Sequence, residues 1–548
     1  MAYFTKPIVR RTIVTLLSLL TLFVAITAYL FFNYVMNPGL TFSNELQIPP
    51  LLEPVESNGQ KLFELVPQHG STAFFAGQPS ETMGFNGDYL GPTIRFSQGD
   101  EVAIDVKNQL DEATAVHWHG MHVPAEMDGT PHQMIPSGQT WRAEYPVLNE
   151  AATMWYHPHP HGDTATQVAA GLAGLIIIDD DNSQSLNLPD TYGVDDIPLV
   201  IQDRSFDDNG QLNYQINNGS YYGDTIVVNG TVDPYVEVPA AMVRLRILNG
   251  SNGRIYNFGF EDNRTFYQIA TDGGFLETPV PLTRLRLSTG ERAEIVVDLS
   301  DGTEVLFKSL PAFNYFEFEQ FITTFGARHS HFDVLKLIPM SDLVDSDSVT
   351  ELPEKLNTIE RWSAEDADNV RSLQMAGGGA GGGGGGQNIP INGQLMDMGR
   401  IDEVVLLDDI EIWEITNAGG QPHPFHIHDI QFLILDRDGD PPPANESGWK
   451  DTVRVDPGET VRFITQFTIY ANSTIPYMYH CHILEHEDGG MMGQFVVADP
   501  AVERNQPQSL ITNLEGIDEL PLLPDNFFLQ ASAAVCDPSQ FGSVLPSN

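Results

Sequence analysis

Two closely spaced histidine pairs near one end of the sequence, and two more near the other, restrict this chain more than any other feature. Of its 16 histidines, eight form His-x-His pairs at His117/His119, His157/His159, His426/His428 and His480/His482. On an extended strand, residues i and i+2 share a face, so each pair aims two imidazoles in one direction. Eight converging imidazoles suit three metal ions with three, three and two nitrogen ligands. The fold must therefore bring an early unit against a late one, with the cluster stapling them together. His329-Ser-His331 has the same spacing but falls in the middle of the chain, and is read as strand or loop surface. His161 shares the parity of His157 and His159 and is read as a neighbour of the cluster, not a ligand.

Parity carries a second argument. If residues 480 to 482 are extended, His480 and His482 face one way and Cys481 the other. In His423-Pro-Phe-His426-Ile-His428, the even positions pair and His423 has the opposite parity. Cys481, His423 and His486 can then close on a separate ion, with Met491 as a weak axial ligand, which is the ligand set of a blue-copper electron-transfer site. Zinc uses the same residue types, but needs neither four pairs nor a cysteine flanked by histidines.

Around these motifs the pattern is all-β. Runs such as Glu101-Val-Ala-Ile-Asp-Val106, Leu175-Ile-Ile-Ile178 and Val243-Arg-Leu-Arg-Ile247 alternate or are β-branched, and Gly, Asn, Asp and Pro punctuate them. The 548 residues exceed what one core can organise, and β-sandwich units are expected at 45–185, 186–350 and 351–500, with a C-terminal tail at 501–548. A glycine tract between Met375 and Gln387 cannot pack a core. Residues 1–44 read as a targeting segment and linker. Lys6, Arg10 and Arg11 precede an uncharged, mostly apolar run from Thr12 to Phe32, long enough for a membrane anchor or signal helix that leaves the body outside the cytoplasm, in the periplasm or at the cell surface. Cleavage after Ile26-Thr27-Ala28 and a twin-arginine signal at Arg10-Arg11 are the competing readings. Two cysteines, Cys481 and Cys536, exclude a disulfide framework. A formal charge of −47 excludes a nucleic-acid partner, because phosphate would be repelled.

Taken in order, His117-Trp-His119-Gly, Trp155-Tyr-His157-Pro-His159, His423-Pro-Phe-His426-Ile-His428 and His480-Cys-His-Ile-Leu-Glu-His486-Glu-Asp-Gly-Gly-Met491 resemble the four copper-binding motifs of multicopper oxidases. The fourth is especially similar to bacterial laccase-like and cuprous oxidases. That resemblance, over roughly residues 85 to 500, implies three cupredoxin-like Greek-key β-sandwiches holding four coppers. His117 and His426 would bind type 2 copper. The type 3 pair would fall to His119, His157, His159, His428, His480 and His482, and type 1 copper to His423, Cys481, His486 and Met491. Dioxygen and a small-molecule or metal-ion reductant are the implied partners. Asp128 and Glu487 match family acids beside the cluster, with proton relay and stabilisation of bound water as their expected work. Asp128-Gly129 is equally a strong turn dipeptide.

The reductant is less defined. Family members specialised for cuprous ions often carry a methionine-rich insert and an acid before the first type 1 histidine. Here a glycine tract and Gly419-Gly420 stand in those places, although Asp397, Met375, Met396 and Met398 are near in sequence. A laccase-like oxidase of phenols or aromatic amines is the first expectation, with a cuprous or manganous oxidase of copper homeostasis as the alternative. A copper-buffering protein would bind metal without turnover, whereas a non-enzymatic envelope protein on the same fold would have lost ligands. A two-domain nitrite reductase needs no trinuclear cluster.

Overall fold

The computed structural model describes residues 41–217, 219–310, 332–375 and 389–503, together with Thr21 and Leu22. Within them the chain is mostly strand, organised around three large apolar cores. The run expected to anchor the protein lies outside the described residues except at Thr21 and Leu22, as do His329, His331, Cys536 and the glycine tract. Among the described residues no helix is long and apolar enough to cross a membrane.

The first core lies between two four-stranded sheets, ordered Ile94–Ser97, Gly174–Asp179, Ala152–Pro158, Val116–His119 and Val55–Ser57, Gln60–Leu65, Glu101–Lys107, Thr140–Pro146. Its strands alternate sides, and in the pair Val116–His119 and Ala152–Pro158 both faces are buried. Val116 and Trp118 enter the core, as do Ala152, Met154 and Tyr156 on the neighbouring strand. His117, His119 and His157 therefore point away from it. A slip of one residue would exchange these faces, and the antiparallel pairing Trp155↔His119, Tyr156↔Trp118, His157↔His117 holds the register.

The third core repeats this logic. A five-stranded sheet runs Glu403–Leu406, Met492–Ala498, Asn472–Cys481, His423–Ile427, Thr452–Val455. Its central pair aligns Phe425 with Cys481 and His426 with His480. Phe425, Ile427, Tyr477, Tyr479 and Cys481 face the core, so His426 and His480 face outward toward the first sandwich. Between the two in sequence lies the middle unit, a six-stranded sheet packed on a seven-stranded one around a core drawn mainly from Ile197 to Leu337, with Leu46 added. Asn44–Glu45 pairs in parallel with Pro234–Pro239, adding an edge strand to that unit. A short helix, Thr164–Ala170, also ties the first sandwich to the third. Ala165 and Val168 pack on Leu484, and the Asp488 carboxylate accepts from the backbone N–H groups of Thr164 and Ala165 at 2.9 Å each.

Candidate metal centre

The outward faces of the first and third sandwiches enclose all eight paired histidines, each at most 1% exposed. They interleave as two stacks across the interface. His117 lies on His428 with ring centroids 3.8 Å apart, and His119 lies on His426 at 3.7 Å. Burial, reinforced by the neighbouring imidazoles, holds His119, His157, His159, His426, His428 and His482 well below the usual histidine range, and burial takes His480 down to about 3. At neutral pH these rings are uncharged, each with one nitrogen lone pair to offer.

Most of the rings are tethered from behind. His117 Nδ1 donates to the Asp128 carbonyl at 2.9 Å, His157 Nδ1 to the Pro158 carbonyl at 2.8 Å and His426 Nδ1 to the Asp451 carbonyl at 2.8 Å. His428 Nδ1 meets Asp128 Oδ2 at 2.7 Å. His119 is reversed: its Nε2 bonds Asp451 Oδ1 at 2.9 Å and leaves Nδ1 facing inward. Among the described residues, the Nε2 atoms of His117, His157 and His426, and Nδ1 of His119, are buried without a hydrogen-bond partner. Nε2 of His480 lies 3.3 Å from Nε2 of both His159 and His428. Buried, uncharged nitrogens with converging lone pairs repel one another unless a cation sits between them, so the donor set fits a metal cluster. Groupings tight enough for one ion include His117/His426/His428, His159/His428/His480 and His117/His119/His157.

On the core side of the same strand, Cys481 Sγ lies 3.4 Å from His423 Nδ1 and 3.7 Å from His486 Nδ1. All three are buried, and Met491 is buried in the same cluster. Burial pushes the Cys481 thiol up, so without metal it is a protonated, inert thiol. Its two sequence neighbours belong to the eight-imidazole chamber, which makes the backbone itself the link between the two sites.

Both singled-out carboxylates touch the chamber. Asp128 is fully buried and binds one histidine from each sandwich, since its Oδ1 also approaches His117 Nδ1 at 3.2 Å. It is at the same time part of a turn. Gly129 has φ +77°, and a Cβ there would fall 1.7 Å from the Val116 carbonyl oxygen, so only glycine lets the turn lie this close to the His117 strand. Glu487 Oε1 lies 3.4 Å from His159 Nδ1, and Oε2 lies 3.2 Å from His480 Nδ1. Burial, with the charge of Asp488 added, pushes its carboxyl well above the usual range. His161 is exposed and takes no part: the His159 N–H is still held by the Ala115 carbonyl, but after Pro160 the chain turns, with the Asp163 N–H donating to the Pro160 carbonyl.

Two residues that the motifs do not reveal complete the setting. Asp451 holds His119 through its carboxylate and His426 through its carbonyl, and Arg292 of the middle unit clamps that carboxylate with both guanidinium nitrogens. A sequence signal existed: each is a charged residue next to a β-branched or apolar run, Lys450-Asp-Thr-Val453 and Arg292-Ala-Glu-Ile-Val-Val297.

Comparison with known proteins agrees with this architecture. Models of multicopper oxidase domains match residues 68–183 and 362–501. The multicopper oxidase mco of Staphylococcus aureus is 38% identical over 463 residues, covering 83% of this chain and 92% of that protein. The cell division protein FtsP of Sodalis glossinidius is 38% identical over 460 residues, covering 83% and 93%. Among solved structures, the laccase of Pediococcus acidilactici Pa5930 superposes with a TM-score of 0.74 at 38% identity, covering 83% of this chain and 94% of that one.

Proposed function

Because this chain belongs to the multicopper oxidase family, we propose that it removes electrons one at a time from a small phenol or aromatic amine and delivers them to dioxygen, with water as the product. The observation that carries this reading is the pairing of a buried His423/Cys481/His486 site with an eight-imidazole chamber through adjacent residues of one strand. Copper, when bound, would supply the one-electron couple and the oxygen-reducing centre. His423, Cys481, His486 and Met491 would hold one ion, and three more would share the chamber, His117 and His426 on one and the remaining six imidazoles on a pair.

The chain's own residues divide the remaining work. The Cys481 thiolate is the electron port to the chamber, through the peptide groups that join it to His480 and His482. Asp128 keeps His117 and His428 in the tautomers that aim their lone pairs inward. Glu487 stores a proton between His159 and His480. Seven packed rings with depressed basicity also have a consequence for metal retention. Protons compete with metal only where imidazoles titrate, and here they titrate far below about 6.5. Chelator competition should therefore find the chamber's copper affinity flat within about threefold between about pH 7.5 and 6, whereas three solvent-exposed histidines would lose roughly tenfold or more. A steep loss over that interval would show that the rings are accessible to protons.

One observation favours a second reading. The Met396 N–H donates to the Gly490 carbonyl at 2.9 Å, which brings the segment carrying the exposed Asp397 and the half-buried Met396 and Met398 against the residue that precedes Met491. An acid and two thioethers there suit a soft metal ion as reductant. We also place the body outside the cytoplasm, on the strength of the basic residues and apolar run at the N-terminus. Oxygen uptake by copper-loaded protein, measured against phenols, aromatic amines, cuprous and manganous ions, tests both readings. The fastest turnover is expected with a phenol or amine. Turnover confined to a metal ion would select the second reading, and no uptake with any donor would overturn the oxidase assignment.

A further inference from the structure

We infer that the turn Ser288-Thr-Gly-Glu-Arg292 of the middle sandwich, which contributes none of the twelve candidate ligands, positions the imidazoles of the chamber, with Arg292 as its central positioning residue. This rests on the oxidase reading above and adds to it a role for the unit that carries no ligand.

The first observation concerns His482. Neither of its ring nitrogens has a hydrogen-bond partner among the described residues, so its ring plane is set by packing and by its backbone. The rings of His119, Trp155, His157 and His426 pack on the imidazole from the chamber side and the His482 N–H donates to the Pro424 carbonyl, while this turn supplies a further backbone anchor and a further packing face. Thr289 Oγ1 donates to the His482 carbonyl. Gly290 lies flat on the ring at φ +80°, where a Cβ would sit 2.8 to 2.9 Å from Cδ2, Cγ and Nε2. A side chain at 290 would displace the imidazole or the turn.

The second observation concerns His119 and His426. The Arg292 guanidinium donates to Asp451 Oδ1 at 2.7 Å and to Oδ2 at 2.5 Å. Asp451 in turn accepts from His119 Nε2 at 2.9 Å and, through its carbonyl, from His426 Nδ1 at 2.8 Å. The remaining Arg292 protons go to the carbonyls of Thr153, Gly290 and Asp272. One side chain thus bonds the first sandwich, its own turn and the third sandwich. Lys450 locks the same dipeptide in the opposite sense, reaching Asp272 at 2.8 Å and Glu291 at 3.1 Å.

Burying such ions contributes little net stability, because desolvation offsets their attraction. A rigid two-pronged donor does fix the plane of a carboxylate, which a lysine ammonium cannot do. Partners that orient metal-binding histidines are typically worth 10- to 100-fold in metal affinity or activity.

The test uses full-length copper-loaded protein, wild type against Arg292→Lys and Thr289→Val. Four readouts are needed: visible absorption for the Cys481 site, electron paramagnetic resonance and near-ultraviolet absorption for the chamber, copper affinity by chelator competition, and oxygen reoxidation of reduced protein by stopped flow. Arg292→Lys should keep the visible band and its reduction rate within about twofold, while chamber affinity and reoxidation fall about 10- to 100-fold with altered chamber spectra. Thr289→Val, which removes one hydroxyl and is expected to fold, should show the same pattern at about threefold or more. Unchanged chamber spectra, affinity and reoxidation in both variants would overturn the inference, as would equal losses at both sites with a lowered melting temperature. If wild type binds copper in the chamber without consuming oxygen, the oxidase reading fails, and the spectra and affinities still decide the role of the turn. Wild type with no copper in the chamber overturns both.

Discussion

Cys481→Ser is expected to bring substrate-driven oxygen uptake to background and to abolish the visible band, while copper stays in the chamber. Serine fills nearly the same volume but offers a hard, protonated oxygen where the ion would need a soft thiolate beside two imidazoles. The site it would leave, His423 and His486 at 3.4 and 3.7 Å from the lost sulfur, is two nitrogens and a thioether, too weak to hold the ion in its redox-active form. The chamber is spared because Cys481 faces the core of the third sandwich and the flanking His480 and His482 face away from it. Absorption spectroscopy with copper analysis, followed by an oxygen electrode, reads all three outcomes. A blue and active serine variant would remove Cys481 from the electron path.

Glu487→Gln separates proton delivery from electron delivery. Reducing dioxygen to water consumes four protons with four electrons, and among the described residues the acid within 3.4 Å of both His159 and His480 is Glu487. Glutamine preserves shape and most contacts but cannot transfer a proton. The variant should keep its colour, its copper content and its rate of reduction by substrate, while reoxidation by oxygen slows by about 10²-fold or more, the scale for a positioned acid. The pH dependence follows from the direction of the shift. A carboxyl whose pKa is raised by burial is protonated below that raised value and ionised above it. Wild-type reoxidation should therefore decline as pH rises through that value, and the variant should lose this decline. Stopped-flow mixing across pH decides it: unchanged reoxidation, or copper lost with the substitution, would make Glu487 a support of the His486 loop and not a proton source.

What could be read in advance follows from the range over which each cause acts. The shared face of His117 and His119, and the opposed face of Cys481, are consequences of the two-residue period of a strand, a local rule visible in any three residues. The convergence of early and late pairs follows once every pair needs partners. His161 shows the limit of the period: it has the right parity, but the chain turns after Pro160 and the side chain goes to solvent. The choice of ring nitrogen was not legible at all. His119 presents Nδ1 because its Nε2 is held by Asp451, 332 residues away, and Asp451 is held by an arginine from a third unit. Nothing local to any of the three announces the other two.

The interleaved rings have a last consequence. His117 on His428 and His119 on His426, at 3.8 and 3.7 Å, are at contact distance, so a slide of one sandwich over the other by even about an ångström would spoil both stacks at once. A hinge motion between the two halves of the chamber would therefore break both stacks. On the proposed function, turnover in such a frame would require only small travellers: electrons along a strand, protons from a carboxyl, dioxygen in and water out. On the oxidase reading the protein would serve as a fixture, supplied by small travellers without any opening of the structure.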